Sequence, residues 1–238
     1  MDQFEGCVGV DGARSGWIAV WWDAGKFAHH VHPDARELFE AHRAARVIAV
    51  DIPMGLCERN GRQADAEARS FVGGRRASSV FATPVRGILD AATQAEASRR
   101  HREIDGRGFG AQSFAILPKI RQWDELLQRD AGARQRVREI HPEVSFAALN
   151  GGKGHGLADA KRTFAGAEAR VTLLAGIFGR DAVMALVRSV PAREAATDDV
   201  LDALVALWSA ERIASGRAGS LPASVVPDVT GLPAAIWY

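Results

Sequence analysis

Cys7-Val8-Gly9-Val10-Asp11-Gly12, then Ala13-Arg14-Ser15-Gly16, then Trp17-Ile18-Ala19-Val20-Trp21-Trp22, is the stretch that decides the fold. Cys7 to Val10 is an apolar run of strand character, ended by Asp11 and Gly12. Ala13 to Gly16 reads as a turn closed by glycine. Trp17 to Trp22 is rich in aromatic and β-branched residues, so the pair predicts a hairpin. If the second strand alternates, one of the adjacent Trp21 and Trp22 faces away from the core. That predicts a covering surface for it, either an interface such as a homodimer's or a helical insertion in this chain.

Working outward, Lys26 to His32 predicts a third strand. Pro33-Asp34 opens a helix to about Arg43, with Asp34 as its cap. Val47 to Val50 is a continuous apolar run of the kind found in buried central strands, and it ends at Asp51-Ile52-Pro53. Residues from about 55 to 136 change character: they are Arg- and Ala-rich and helical in period, broken at Gly73-Gly74 and between Asp105 and Gly110. They predict a helical insertion within a single domain spanning 1–238. Arg138 to His141 predicts another strand, Pro142-Glu143 a helix start, and Gly151 to Gly156 a loop. Ala160 to Gly179 and Asp181 to Val190 predict two helices. Thr197 reads as the N-cap of a long helix from Asp198 to about Ser215, ended by Gly216 and Gly219. Ala234 to Tyr238 predicts a final short strand. The class is α/β, a mixed sheet flanked by helices.

The bulk properties narrow the function. With 238 residues, 47% hydrophobic and 25% charged, the chain supports an ordinary globular core. A formal net charge of +1 gives no global field for nucleic acid. Between Arg59 and Arg107 ten arginines stand against six acids, which predicts either a phosphate-binding face or a solvated helical surface. Cys7 and Cys57 have no metal-binding spacing, and Cys7 reads as a small core residue. No leader pattern opens the sequence and no apolar run approaches the ~20 residues of a membrane span, so the expected location is the cytoplasm, with no membrane partner.

The acids carry the chemistry. Asp11, Asp51 and Glu143 each follow a predicted strand, and Asp198, Asp199 and Asp202 share the first turns of one helix. Taken singly, each has a structural explanation, such as capping a turn or a helix N-terminus. Taken together, they fall where ligands sit in open α/β sheets, beyond strand carboxyl ends. Grouped carboxylates repel one another, and Mg²⁺ or Mn²⁺ relieves that repulsion through oxygen ligands. Asp199 and Asp202, three apart, project from one helical face.

Gly9-Val10-Asp11-Gly12-Ala13-Arg14-Ser15-Gly16-Trp17, Val50-Asp51-Ile52-Pro53 and Arg75-Arg76-Ala77-Ser78-Ser79-Val80-Phe81-Ala82-Thr83-Pro84 resemble motifs of the domain-of-unknown-function 429 family. So do Pro118-Lys119-Ile120, Glu139-Ile140-His141-Pro142-Glu143-Val144-Ser145-Phe146, Asp198-Asp199-Val200-Leu201-Asp202-Ala203 and the terminal Ile236-Trp237-Tyr238. The resemblance implies a ribonuclease-H-like fold and a predicted nuclease. Asp199-Val200-Leu201-Asp202-Ala203-Leu204 is also similar to the acidic carboxy-terminal helix of Holliday-junction resolvases of that superfamily. The similarity implies that Asp11, Asp199 and Asp202 share a metal site, with Asp51 standing where those resolvases carry a glutamate.

These readings predict metal-dependent phosphodiester hydrolysis on DNA, RNA or a small phosphoester. Asp11 bridges two ions ~3.5–4 Å apart, and Asp51, Asp199 and Asp202 complete their shells. Arg14, Arg75, Arg76 or Lys119 holds phosphate. His141 or Glu143 assists proton transfer, or His141 makes a structural hydrogen bond at its strand end. Ser78 and Ser79 form a turn or a phosphate contact, since no nucleophile elbow surrounds them. Two other classes stay open: a phosphotransferase or ATPase of the actin and sugar-kinase type, and a non-catalytic binding protein with the same fold.

Overall fold

The computed structural model describes residues 1–238, apart from the side chain of Arg75. Strand β1 (Cys7–Ala13) runs past the end of its apolar run. Asp11 and Gly12 stay in it because they pair with β2 (Gly16–Asp23), Asp11 opposite Ile18 and Gly12 opposite Trp17. Asp11 therefore lies inside the strand, not beyond it. Strand β3 (Lys26–His32) pairs antiparallel with β2. Helix α1 (Ala35–Ala41) follows, with the Asp34 carboxylate accepting from the Glu37 N–H at 2.9 Å. It stops short of Arg43.

Strand β4 (Val47–Asp51) pairs parallel with β1. Helices α2 (Gln63–Val72), α3 (Gln94–Asp105), α4 (Ala111–Ala115), α5 (Leu117–Arg129) and α6 (Ala131–Arg136) intervene before β5 (Val137–Ile140). Then come α7 (Pro142–Leu149), α8 (Phe164–Phe178), α9 (Arg180–Ser189) and α10 (Thr197–Ala214). Thr197 is the first helical residue of α10 rather than its cap. The Asp199 carboxylate accepts from the Ala196 N–H at 3.0 Å instead. Strand β6 (Ser220–Leu221), too short to show a periodicity, and β7 (Ile236–Trp237) close the sheet. The order is β3-β2-β1-β4-β5-β7-β6. The chain is thus α/β, with one mixed sheet flanked by helices. Among the described residues, no helix is long and apolar enough to cross a membrane.

Strand alternation sorts the core into two layers. Cys7 and Ala13 of β1 and Val47 and Ala49 of β4 pack with α10. Val8, Val10, Ile48 and Val50 pack on the opposite face with residues of α1 and α5. By the same period of two, Gly9, Asp11 and Asp51 belong to the α10 face. Gly9 sets how closely that helix lies: a Cβ there would stand 2.1 Å from both the Ala203 oxygen and the Leu207 nitrogen. Residues Val200 to Glu211 of α10 are buried throughout. Trp21 and Trp22 do take opposite faces. Trp21 packs on His42 and Trp22 on Phe27, with ring centroids 4.7 and 5.0 Å apart. Their cover comes from β3 and the segment after α1, not from the helical region between β4 and β5.

Candidate functional site

The β1–β4 ladder ends at Val10 paired with Val50, so Asp11 and Asp51 come one step further along the same two strands. Asp199 and Asp202 reach the same place from α10. All four line one cavity of about 570 Å³, together with Glu143, His141, Lys119, Lys161, Arg76, Ser78, Ser79 and Phe81. Asp11 and Asp202 are buried.

Burial dominates the electrostatics. It pushes the Asp11 carboxyl well above the usual range, and the nearby Asp51 and Asp202 charges push it further. Burial likewise raises Asp51 and Asp199. Asp202 is pushed up to about 6 by burial, against the pull of Lys161.

Lys161 is the residue the sequence reading missed. Its Nζ donates to Oδ2 of Asp202 at 2.6 Å and lies 3.6 Å from Oδ2 of Asp198. Burial works against its charge, but Asp202, Asp11 and Asp51 outweigh burial and hold it protonated. Lys161 lies in the loop before α8, where Thr163 caps the helix by accepting from the Gly166 N–H at 3.1 Å. A Cβ on Gly166 would stand 2.0 Å from the Ala160 oxygen, so the loop lies directly on that glycine. Nothing periodic in the sequence marks such a contact.

Glu143 has a different environment from the four aspartates. Its Oε1 accepts from Arg170 Nη2 at 2.6 Å and from Arg76 Nη2 at 2.7 Å. Arg170 is wholly buried and was also missed. Arg76 therefore reaches the cavity already paired, rather than as a free phosphate fork. His141 caps α7, with its Nδ1 accepting from the Glu143 N–H at 3.2 Å. This is the structural hydrogen bond foreseen as its alternative role, and it leaves Nε2 to carry the proton of the neutral ring. Lys119 donates to the carbonyls of Ala13 and Gly16, both at 2.8 Å, so two of its three donors hold the β1–β2 turn. Its Nζ also lies 4.7 Å from the Trp17 ring centroid. Ser78 and Ser79 end a short 3₁₀ helix, Gly74–Ser79, at the cavity. Arg14 is exposed in the β1–β2 turn and does not line the cavity. The Arg75 side chain lies outside the described residues.

The arginine-rich segment is largely paired with acids. Arg62 holds Asp65 and Glu139, Arg86 holds Asp124 and Asp228, and Arg100 holds Asp90 and Glu96. Much of the basic excess thus serves internal ion pairs instead of an open phosphate face.

The donor set suits a hard divalent cation. Oδ1 of Asp202 and Oε2 of Glu143 are buried and, among the described residues, have no hydrogen-bond partner, and carboxylate oxygens are the preferred ligands of Mg²⁺ and Mn²⁺. Asp11, Asp51, Asp199 and Asp202 are the carboxylates lining the cavity that could supply ligands to one. Among the described residues, no group of three His, Cys, Asp or Glu stands ready around a single ion.

A family model described as "Protein of unknown function (DUF429)" matches residues 9–226. No curated protein and no solved structure matches the chain.

Proposed function

The chain belongs to the DUF429 family of unknown function, and on that premise we propose that its cavity hydrolyses a phosphoester with the help of Mg²⁺ or Mn²⁺. One observation carries the reading: Asp11, Asp51, Asp199 and Asp202 converge on one cavity, where Oδ1 of Asp202 is buried and unpaired. Charge supports it. Five carboxylates line the cavity against Arg76, Lys119 and Lys161, and those three cations already serve protein groups. A phosphate anion entering such a site needs added positive charge. The sheet order β3-β2-β1-β4-β5, with acids on β1, β4 and the last long helix, agrees with a ribonuclease-H-like nuclease ancestry.

Hydrolysis joins a water oxygen to phosphorus and breaks the bond to the leaving oxygen, which takes up a proton. A bound divalent cation supplies acidified water and neutralises phosphate charge. The protein's own groups do the rest. Asp11 and Asp51 would hold the cation through their carboxylate oxygens. Arg76, fixed by Glu143, faces the phosphate. The His141 Nε2–H, its ring held by the bond at Nδ1, can donate a hydrogen bond to the leaving oxygen, whose proton comes from the attacking water.

The test is cleavage of bis(4-nitrophenyl) phosphate and of labelled single-stranded DNA and RNA, with and without Mn²⁺. Asp11→Asn should lose about a hundredfold or more of the Mn²⁺-dependent rate while keeping its circular dichroism spectrum. Equal cleavage by that variant, or no response of the wild type to Mn²⁺, overturns the reading.

A further inference from the structure

We infer that the phosphoester taken by this cavity carries a flat aromatic group, such as a nucleobase, that stacks on Phe81. This rests on the phosphoester reading above and names its substrate class.

Phe81 is 58% exposed, where a large aromatic ring gains nothing from the protein core. Of the exposed large hydrophobic residues, which include Phe164, Val226 and Val229, Phe81 is the one that lines the acidic cavity. It does not stand alone there. Ile52, Pro53, Ala115 and Ile116 line the same cavity. One enclosure therefore presents both carboxylates suited to a cation and an apolar wall with an open aromatic ring. A bare phosphate or a sugar phosphate has no use for that wall.

The same short segment supplies several contacts. Arg76, Ser78, Ser79 and Phe81 all come from residues 76–81 and all line the cavity. A ligand whose phosphate lies by Arg76 is thus within a few residues of the ring. The cavity volume of about 570 Å³ falls within the range of small-ligand sites. It suits a single nucleotide or a strand end, while a duplex needs an open basic surface. The paired arginines of the segment between Arg59 and Arg107 do not provide one. Stacking of a base on an aromatic side chain tolerates any base, since each has a π-face.

The experiment is isothermal titration of the full-length protein in Mn²⁺ with adenosine 5′-monophosphate, ribose 5-phosphate, inorganic phosphate and a 20-base-pair DNA duplex. The wild type should bind adenosine 5′-monophosphate about fivefold or more tighter than ribose 5-phosphate, the lower end of what one stacked base contributes. Phe81→Ala should reduce that ratio to near unity, and Phe81→Trp should keep it. Ribose 5-phosphate binding should be the same in all three proteins. Equal affinity for the two ligands in the wild type overturns the proposal. So does a preference that survives Phe81→Ala, absence of nucleotide binding, or duplex binding that is tighter than nucleotide binding and indifferent to Phe81. Failure of the phosphoester reading looks different: it shows as Mn²⁺-independent or Asp11-independent cleavage, whatever the base preference.

Discussion

Lys161 Nζ lies 2.6 Å from Oδ2 of Asp202, across 41 residues of chain, while Oδ1 of the same carboxylate is buried and unpaired. One oxygen has a cation supplied by the protein, and the other does not. The pair thus marks the charge cost of the acidic cavity, which Lys161 offsets at one oxygen and no described group offsets at the other.

Replacing Lys161 with Met should lower stability at pH 8 by about 1–2 kcal/mol. This is less than for a fully buried pair, because the lysine is partly solvent-screened. At pH 5 the loss should shrink, since Asp202, with its pKa near about 6, then takes a proton. Urea denaturation at both pH values measures this, and an equal loss at each would contradict it. Lys161→Met combined with Asp202→Asn should recover most of the stability.

Asp202 also sets a pH dependence. Its folded pKa of about 6 lies above the ordinary value of 3.8, so the native state holds a proton that the unfolded chain releases. The associated stability is full below about 4 and is lost as pH rises through about 6. The wild type should therefore lose stability relative to Asp202→Asn as pH climbs from 4.5 to 8. Mn²⁺ should raise the wild-type unfolding midpoint more at pH 8 than at pH 5, because metal binds the deprotonated carboxylates. Thermal melts of both proteins, with and without Mn²⁺, give the answer.

His32 works in the opposite direction. It is buried beside His30 and His42, and burial together with their charges depresses it to about 4. Its neutral form belongs to the fold. Stability is fully present above the ordinary histidine value of 6.5 and is lost as pH falls from there toward about 4. Relative to His32→Gln, the wild type should weaken over that window in chemical denaturation. A constant difference between the two proteins would refute this.

Gly9→Ala should remove roughly 3 kcal/mol or more, or prevent folding, because its Cβ would stand 2.1 Å from backbone atoms of α10. Gly12→Ala is the control. Its Cβ would meet only the end of the Lys119 side chain, at 2.8 Å, so the cost should be that of loosening the Lys119 bonds to Ala13 and Gly16, about 1–2 kcal/mol and below that of Gly9→Ala. Denaturation midpoints of the two variants decide whether close approach of α10 to β1 holds the site together.

Arg170→Met should cost about 3–5 kcal/mol, since it strips a wholly buried partner from Glu143. Adding Glu143→Gln should return part of that loss. A single-variant cost below about 1 kcal/mol would place the pair among dispensable contacts.

Much of this protein was legible in its sequence. The period of two in Cys7-Val8-Gly9-Val10-Asp11 and in Val47-Ile48-Ala49-Val50-Asp51 puts each aspartate on the same face as its strand's odd-numbered residues. The spacing of Asp199 and Asp202 puts both on one face of a helix. These are local properties, fixed by backbone geometry within a few residues, and so the strands, the long helix and the acids they present were readable. Even the limits of that reading were local: Asp11 stays inside β1 because β2 pairs with it, which the apolar run alone does not reveal.

Tertiary structure decided the rest. Lys161 on Asp202, Arg170 and Arg76 on Glu143, and Lys119 on the Ala13 and Gly16 carbonyls join residues far apart in sequence. No period or turn chemistry records such pairs. They form because a carboxylate or ammonium removed from water is costly until an opposite charge or a carbonyl meets it. Which group meets it depends on the packing of whole elements, including the approach of α10 that Gly9 permits. The sequence determined which acids face the sheet's α10 side. Only the folded chain determined which of its own cations neutralise them and that, among the described residues, Oδ1 of Asp202 has no partner.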